Sequence, residues 1–229
     1  MSIAIIPARG GSKRIQKKNV RDFFGKPIIF WSIEAAKRSN CFDRIIVSTD
    51  DEEIANISLK YGAEVPFIRP AELSNDYAET MPVIRHAIKS VRHDMPSNYI
   101  CCIYATAPFI TPEILKTGRK MIEELDCNFV FPVTNFEYPI QRALKISDNN
   151  KLAMFNPDTF KTRSQDHEEA YHDAGQFYWG KTNAWLEKDS IFENAAPIFL
   201  SRDQVQDIDT EEDWKIAEKM FEESNINEL

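Results

Sequence analysis

The chain has 229 residues, 43% hydrophobic and 28% charged, which is enough to bury one full core and is the balance of an ordinary globular protein rather than a disordered or membrane-embedded one. Its formal net charge of −8 argues against a general nucleic-acid-binding surface, and no apolar run approaches the roughly 20 residues that span a bilayer. The apolar start Ile3 to Pro7 is too short for a signal peptide and lacks its basic flank, so the chain is expected in the cytoplasm, without nucleic-acid or membrane partners.

Short apolar runs alternate with amphipathic stretches, the pattern of parallel strands joined by crossover helices. Ile3 to Pro7 reads as a buried first strand, followed by a basic loop and a helix from about Pro27 to Arg38, with proline at a helix start. Arg44 to Ser48 is a second strand. The run Thr49-Asp50-Asp51-Glu52-Glu53 supplies a cap and an acidic first turn for a helix reaching about Tyr61, and Gly62 is its stop. A helix over about Glu79 to Val91 precedes the strongest central strand, Tyr99 to Ala105. Thr111-Pro112-Glu113 opens a helix to about Leu125, and Asn128 to Val133 is another strand.

From about Glu137 to Ala170 the alternation lapses, apart from a hairpin signal around Ser147-Asp148-Asn149-Asn150. So long a stretch without a βα unit points to a functional or interface element. The pattern resumes with Gln176 to Trp179 as a strand, a short helix near Ala184 to Lys188, a strand near Pro197 to Leu200 and a final helix from Thr210 to about Glu223. The expectation is one domain over 1–229 with an inserted arm at 137–170. Cys41, Cys101, Cys102 and Cys127 follow no metal-ligand spacing and read as reduced core residues, and His86 and His93 read as structural.

The charge is unevenly spread. Residues 1–30 carry Arg9, Lys13, Arg14, Lys17, Lys18, Arg21 and Lys26 against the single acid Asp22, a local +6 in a chain whose remainder is −14. Seven cations so placed are a device for anions rather than surface decoration. Gly10 and Gly11 in the same loop let the backbone turn tightly and offer N–H groups to phosphate oxygens. The loop is neither a Walker motif nor a dinucleotide glycine fingerprint, which removes a nicotinamide dehydrogenase. Near the other end, Asp207 and Asp209 put two carboxylates on one side of an extended segment, sufficient for magnesium together with substrate phosphate. Alternatively they cap the helix starting near Thr210.

The stretch Ile5 through Asn19 resembles the opening "IIPARGGSKRIxxKN" of the cytidylyltransferases that activate nine-carbon sialic-acid-like sugars. The likeness continues through Phe42 to Ala55, Gly62 to Asp76 and Asp207 to Trp214, nearly the whole chain in the right order. It implies an α/β Rossmann-like nucleotidyltransferase fold with a mostly parallel sheet flanked by helices and an inserted dimerisation arm. The implied reaction is attack of a sugar acid's anomeric hydroxyl on the α-phosphate of CTP, with pyrophosphate leaving. By the same resemblance Arg9, Ser12, Lys13 and Lys18 hold the triphosphate, with Gly10 and Gly11 in the same CTP-binding loop and Asn19 near the ribose or phosphate, while Arg69, the backbone at Ala78 and the Thr80 hydroxyl read cytosine and ribose. Arg9, Lys18, Asp207 and Asp209 carry catalysis, the last two with Mg2+. No base for the anomeric hydroxyl is identified.

Two departures bear on the acceptor. Sialic acid enzymes carry "QPTSPLR" where this chain has Tyr104-Ala105-Thr106-Ala107-Pro108-Phe109-Ile110, and "FRPNGAIY" where it has Tyr171-His172-Asp173-Ala174-Gly175-Gln176-Phe177-Tyr178. Both stretches resemble the pseudaminic acid branch instead. A pocket of Tyr104, Thr106, Phe109, His172, Asp173, Gln176 and Phe177 is the expected acceptor wall, less polar than one with Gln and Arg. Gln141 and Arg142, and the basic pair Lys161 and Arg163, are expected to reach a neighbouring subunit's sugar site in a homodimer. The alternatives are transfer to N-acetylneuraminic, legionaminic or Kdo acid, or a nucleotide-binding protein without catalysis.

Overall fold

The structure, a computed structural model, describes residues 1–91 and 97–224; His93 lies outside them. In chain order it forms β1 (Ser2–Pro7), the two-residue strands β2 (Asp22–Phe23) and β3 (Lys26–Pro27), α1 (Ile28–Ser39), β4 (Arg44–Ser48), α2 (Glu52–Lys60), α3 (Thr80–Val91), β5 (Tyr99–Ile103), α4 (Pro112–Glu124) and β6 (Phe129–Asn135). There follow β7 (Leu144–Ile146), β8 (Leu152–Met154), β9 (Tyr171–Asp173), β10 (Phe177–Lys181), α5 (Thr182–Glu187), β11 (Ala195–Phe199) and α6 (Glu211–Glu223). Among the described residues no helix is long and apolar enough to cross a membrane.

The main sheet runs β11-β6-β10-β5-β1-β4, with β9 also on β6. β4, β1 and β5 are mutually parallel, and β6 and β11 are parallel to each other. β10 runs antiparallel between β5 and β6, and β9 antiparallel on β6, so the sheet is parallel-rich with two reversed strands, a reversal the sequence pattern did not announce. Parallel strands covered on both faces need near-continuous apolar runs, which β1 has in Ile3, Ala4, Ile5 and Ile6, each at most 1% exposed. One face packs against α1 and α4, the other against α3 and α5. A third cluster under α6 gathers Ile15, Phe23, Phe109, Trp214 and Phe221. Cys101 and Cys102 lie fully in the core and all four thiols are free; burial pushes the three core thiols up.

Local signals set the helix starts. Asp51 caps α2 by accepting from the Ile54 N–H, and Thr111 caps α4 through the Ile114 N–H, with Pro112 in its first turn. Gly62 follows α2 at φ 89°, a conformation glycine adopts without a Cβ penalty. At the start of α6 the cap is Thr210, reciprocated by Asp213. The alternative that Asp209 caps this helix is therefore corrected. The β7–β8 hairpin turns through Ser147 to Asn150 as expected and stands within 137–170, where Gln141 donates to the Glu168 carbonyl (2.8 Å) and Arg142 to the Ser164 hydroxyl (3.0 Å).

Candidate active site

The connections β1-α1-β4 and β4-α3-β5 cover opposite faces of the sheet, so the order reverses at β1. In open α/β sheets ligands bind outside the carboxyl ends of the strands at such a point, and a cleft opens there. Arg9, Ser12, Lys13, Lys18, Asn19, Arg69, Ala78, Thr80, Tyr104, Thr106 and Asp209 line it. Residues 9 to 209 thus converge on one place, which includes most of the positions expected to hold a nucleotide.

The loop after β1 is held in shape by its own polar groups. The Asn19 side-chain amide donates to the Arg9 carbonyl (2.9 Å), and the Ala8 N–H to the Ser48 carbonyl of β4 (2.9 Å). The Gly10 N–H donates to the Asp50 carboxylate (3.0 Å) rather than facing the cleft. A Cβ on Gly10 would lie 2.7 Å from the Asp51 carboxylate, so this glycine is needed for close approach between the β1 and β4 loops. Gly10 and Gly11 do not line the cleft, Gly11 being exposed, and the Gly10 amide expected for phosphate donates to Asp50.

The cations of the cleft are neutralised by acids. Asp76, in the loop before α3, takes the Arg9 guanidinium at 2.7 Å and the Lys13 ammonium at 2.5 Å; these two partners hold its carboxyl below the usual range. Asp209 takes Arg14 at 2.9 Å and Lys18 at 3.4 Å, and Lys18 also donates to the Ile208 carbonyl (2.6 Å). Asp207 lies beside this group. It is exposed at the residue level and does not line the cleft; partial desolvation of its carboxyl and the charge of Asp209 raise its pKa, against the lowering effect of Lys18. Asp76 and Asp50 had no assigned role in the sequence reading. Asp76 ends a matching stretch, but its partners lie 67 and 63 positions away, so only the fold reveals the pairing.

Arg69 is the most unusual group. Its side chain is 3% exposed, its Nη2 is 3.7 Å from Asp50, and neither Nε nor Nη2 has a hydrogen-bond partner. Burial lowers its pKa, with Asp50 acting the other way. Buried guanidinium N–H groups are rarely left unpaired, and one facing a cleft is a waiting donor pair. Beside it Thr80, in the first turn of α3, lies 3.1 Å from the Tyr104 hydroxyl.

The acceptor wall is only partly assembled. Tyr104 and Thr106 line the cleft. Phe109 and Phe177 are corrections: they are 4% and 0% exposed, packed in the α6 cluster and under the sheet respectively, because burying an aromatic ring outweighs any gain from lining a wet cleft. Gln176 is also buried and donates to the Gln204 carbonyl (2.6 Å). Asp173 accepts from the Tyr178 hydroxyl (2.7 Å) and the Gly175 N–H (2.8 Å). His172 contacts Phe136 edge-on. Gln141 is half-buried and Arg142 exposed, and neither lines its own chain's cleft. His86, edge-on to Phe67 with a buried unpaired Nδ1, stands apart from the cleft.

Cations spaced for phosphates, beside a buried arginine with unsatisfied N–H donors at the carboxyl ends of parallel strands, define a nucleotidyltransferase site. A family model described as cytidylyltransferase matches residues 3–228. The chain belongs to that family and is a CTP-dependent enzyme. It is 47% identical over 222 residues to the pseudaminic acid cytidylyltransferase of Campylobacter jejuni, covering 96% of each chain. It is 31% identical to a CMP-N,N'-diacetyllegionaminic acid synthase of Legionella pneumophila, again over 96% of each. Among solved structures, a CMP:2-keto-3-deoxy-manno-octonic acid synthetase complexed with CTP superposes with a TM-score of 0.71 at 15% identity, covering 97% of this chain and 98% of the other, a likeness of fold.

Proposed function

We propose that the enzyme transfers CMP from CTP to the anomeric hydroxyl of pseudaminic acid, releasing pyrophosphate. The observation that carries the nucleotide half is Arg69, whose buried guanidinium has two nitrogens without hydrogen-bond partners and shares a cleft with Arg9, Lys13 and Lys18. An arginine fork suits the O2 and N3 acceptors of cytosine, and Arg9, Ser12, Lys13, Lys18 and Asn19 suit the triphosphate. The acceptor half rests on the 47% identity to the Campylobacter enzyme and on Tyr104 standing at the cleft wall, an aromatic surface suited to a deoxy sugar with apolar substituents.

Positioning and charge stabilisation carry such a transfer. Arg9 and Lys13 exchange Asp76 for phosphate oxygens and offset the charge that develops on departing pyrophosphate. Lys18 and Arg14, tied to Asp209, keep that carboxylate oriented. Among the described residues no cluster of three or more potential metal ligands occurs. Magnesium asks for only one or two carboxylates when phosphate completes its shell, and Asp207 with Asp209 fits that requirement. A magnesium ion held by Asp207 and Asp209 would supply Lewis-acid charge to the phosphates.

The arm exposes Tyr138, Ile146, Leu152 and Phe160 at 67–76%, more apolar surface than a lone hairpin tolerates. We infer that it docks on a second copy in a homodimer, bringing Gln141 and Arg142 toward the partner's acceptor site, and that the enzyme works in the cytoplasm. Incubation with CTP, magnesium and separate nonulosonic acids, followed by mass analysis, tests the acceptor: comparable rates with N-acetylneuraminic acid contradict it.

A further inference from the structure

Asp50, in the turn after β4, reaches both the cationic loop and Arg69. Its Oδ1 accepts the Gly10 N–H at 3.0 Å, and the same oxygen lies 3.7 Å from Arg69 Nη2. The first contact is a hydrogen bond and the second is too long to be one. The backbone on every side is pinned. The Arg69 N–H donates to the Thr49 carbonyl (2.8 Å), and the Asp51 N–H donates to the Thr49 hydroxyl (3.1 Å). The Asp51 carboxylate is committed to the Ile54 N–H at the start of α2 (2.9 Å). On the loop side, the Ala8 N–H donates to the Ser48 carbonyl (2.9 Å) and the Asn19 amide to the Arg9 carbonyl (2.9 Å). Asp50 therefore has no backbone freedom to close on Arg69, and its nearer oxygen is held by Gly10.

The gap matters because charge and hydrogen bonding fall off differently with distance. Coulomb attraction at 3.7 Å is only about a quarter weaker than at a hydrogen-bonding distance of about 2.8 Å, whereas the hydrogen bond itself is lost. A guanidinium that is 3% exposed needs a counter-charge. A carboxylate in direct contact, however, would occupy the donors that a bound base requires. We propose that Asp50 is a positioning residue for Arg69: a counter-ion tethered by the Gly10 amide just outside hydrogen-bonding reach, compensating the buried charge while leaving its N–H donors to the nucleotide. Asp50 does not line the cleft, so it acts through Arg69. The Gly10 amide then serves the base site rather than the triphosphate. Glycine at position 10 lets the two loops come this close, since a Cβ there would meet the Asp51 carboxylate at 2.7 Å.

The inference rests on Arg69 holding the nucleotide, and the experiment separates the two. CTP binding by calorimetry and thermal melting are measured for the wild type, Asp50→Glu, Asp50→Asn, Arg69→Met and the doubles with Arg69→Met, with steady-state kinetics on the single variants. Asp50→Glu adds one methylene of reach and pairs directly with Arg69. Its melting temperature should hold or rise while the Kd for CTP rises about five-fold or more, with KM following and kcat moving less. Asp50→Asn keeps an oxygen for the Gly10 N–H but removes the counter-charge. Its melting temperature should fall by several degrees while CTP binding is not weakened, since a negative charge has left the neighbourhood of a polyanion. The Kd rise of the first variant and the melting shift of the second should both vanish when Arg69 is methionine. Unchanged CTP binding in Asp50→Glu, parallel loss of stability and binding in both variants, or either shift persisting beside Arg69→Met overturns the counter-ion role while leaving Arg69 as the nucleotide's partner. Unaltered CTP binding by Arg69→Met overturns that reading of Arg69 and the inference with it. Should Asp50→Glu fail to fold, the melting shift of Asp50→Asn and its loss in the double decide alone.

Discussion

Asp76 lies 2.7 Å from the guanidinium of Arg9, so the residue expected to hold the triphosphate is already engaged by a carboxylate from across the cleft. Lys13 completes the pair at 2.5 Å. A phosphate must displace Asp76 before either cation is free. Exposed ion pairs are individually weak, so the displacement is easy but not free. Asp76→Asn should lower the KM for CTP about two- to five-fold at low ionic strength, with the gain shrinking in salt. Steady-state kinetics at two salt concentrations check this, and an increased KM contradicts it.

Arg69 separates function from stability. Its buried guanidinium has only a 3.7 Å contact with Asp50 and two nitrogens without partners. Replacing a poorly paired buried charge by an apolar side chain of similar length is often neutral or stabilising. Arg69→Met should leave the melting temperature unchanged or raised while weakening CTP binding at least ten-fold, read by thermal melting and calorimetry on the same sample.

Gly118 tests the packing of α4. Alanine is the better helix former by about 1 kcal/mol, but a Cβ here would sit 2.5 Å from Trp179 Cδ1. Trp179 cannot swing away, because its Nε1 donates to the Leu115 carbonyl (3.1 Å) in the core. Overpacking of this kind costs about 1–3 kcal/mol, so Gly118→Ala should lower stability despite its propensity, measured by urea unfolding.

Asp207→Asn and Asp209→Asn should each reduce turnover by two or more orders of magnitude, the scale of lost charge stabilisation at a reacting phosphate. Melting should shift little, since the cap of α6 is formed by Thr210 and Asp213. Chelation should abolish wild-type activity and added magnesium restore it.

What the sequence revealed tracks how local each determinant is. The starts of α2 and α4 were legible as the runs Thr49 to Glu53 and Thr111 to Glu113, because a cap and its amide partner lie only three residues apart, though the first run did not say that Asp51 is the cap. The cationic loop was legible because seven charges gather within 30 residues. Phe109 and Phe177 were misplaced because a motif position does not say which way a ring points. The Asp76 pairing joins residues up to 67 positions apart and the contact of the Tyr104 and Tyr178 rings joins residues 74 apart, and only the register of β5 against β10 brings the tyrosines together. The reversal of β10 was illegible for the same reason: strand direction is a property of the sheet, not of the strand.

The central claim is tested most directly by product analysis. The enzyme, incubated with CTP, magnesium and pseudaminic acid, should release pyrophosphate and yield a species with the mass of the CMP-sugar, and Arg9→Ala should abolish it. Absence of that product from the folded wild-type enzyme, or its undiminished formation by Arg9→Ala, contradicts the account.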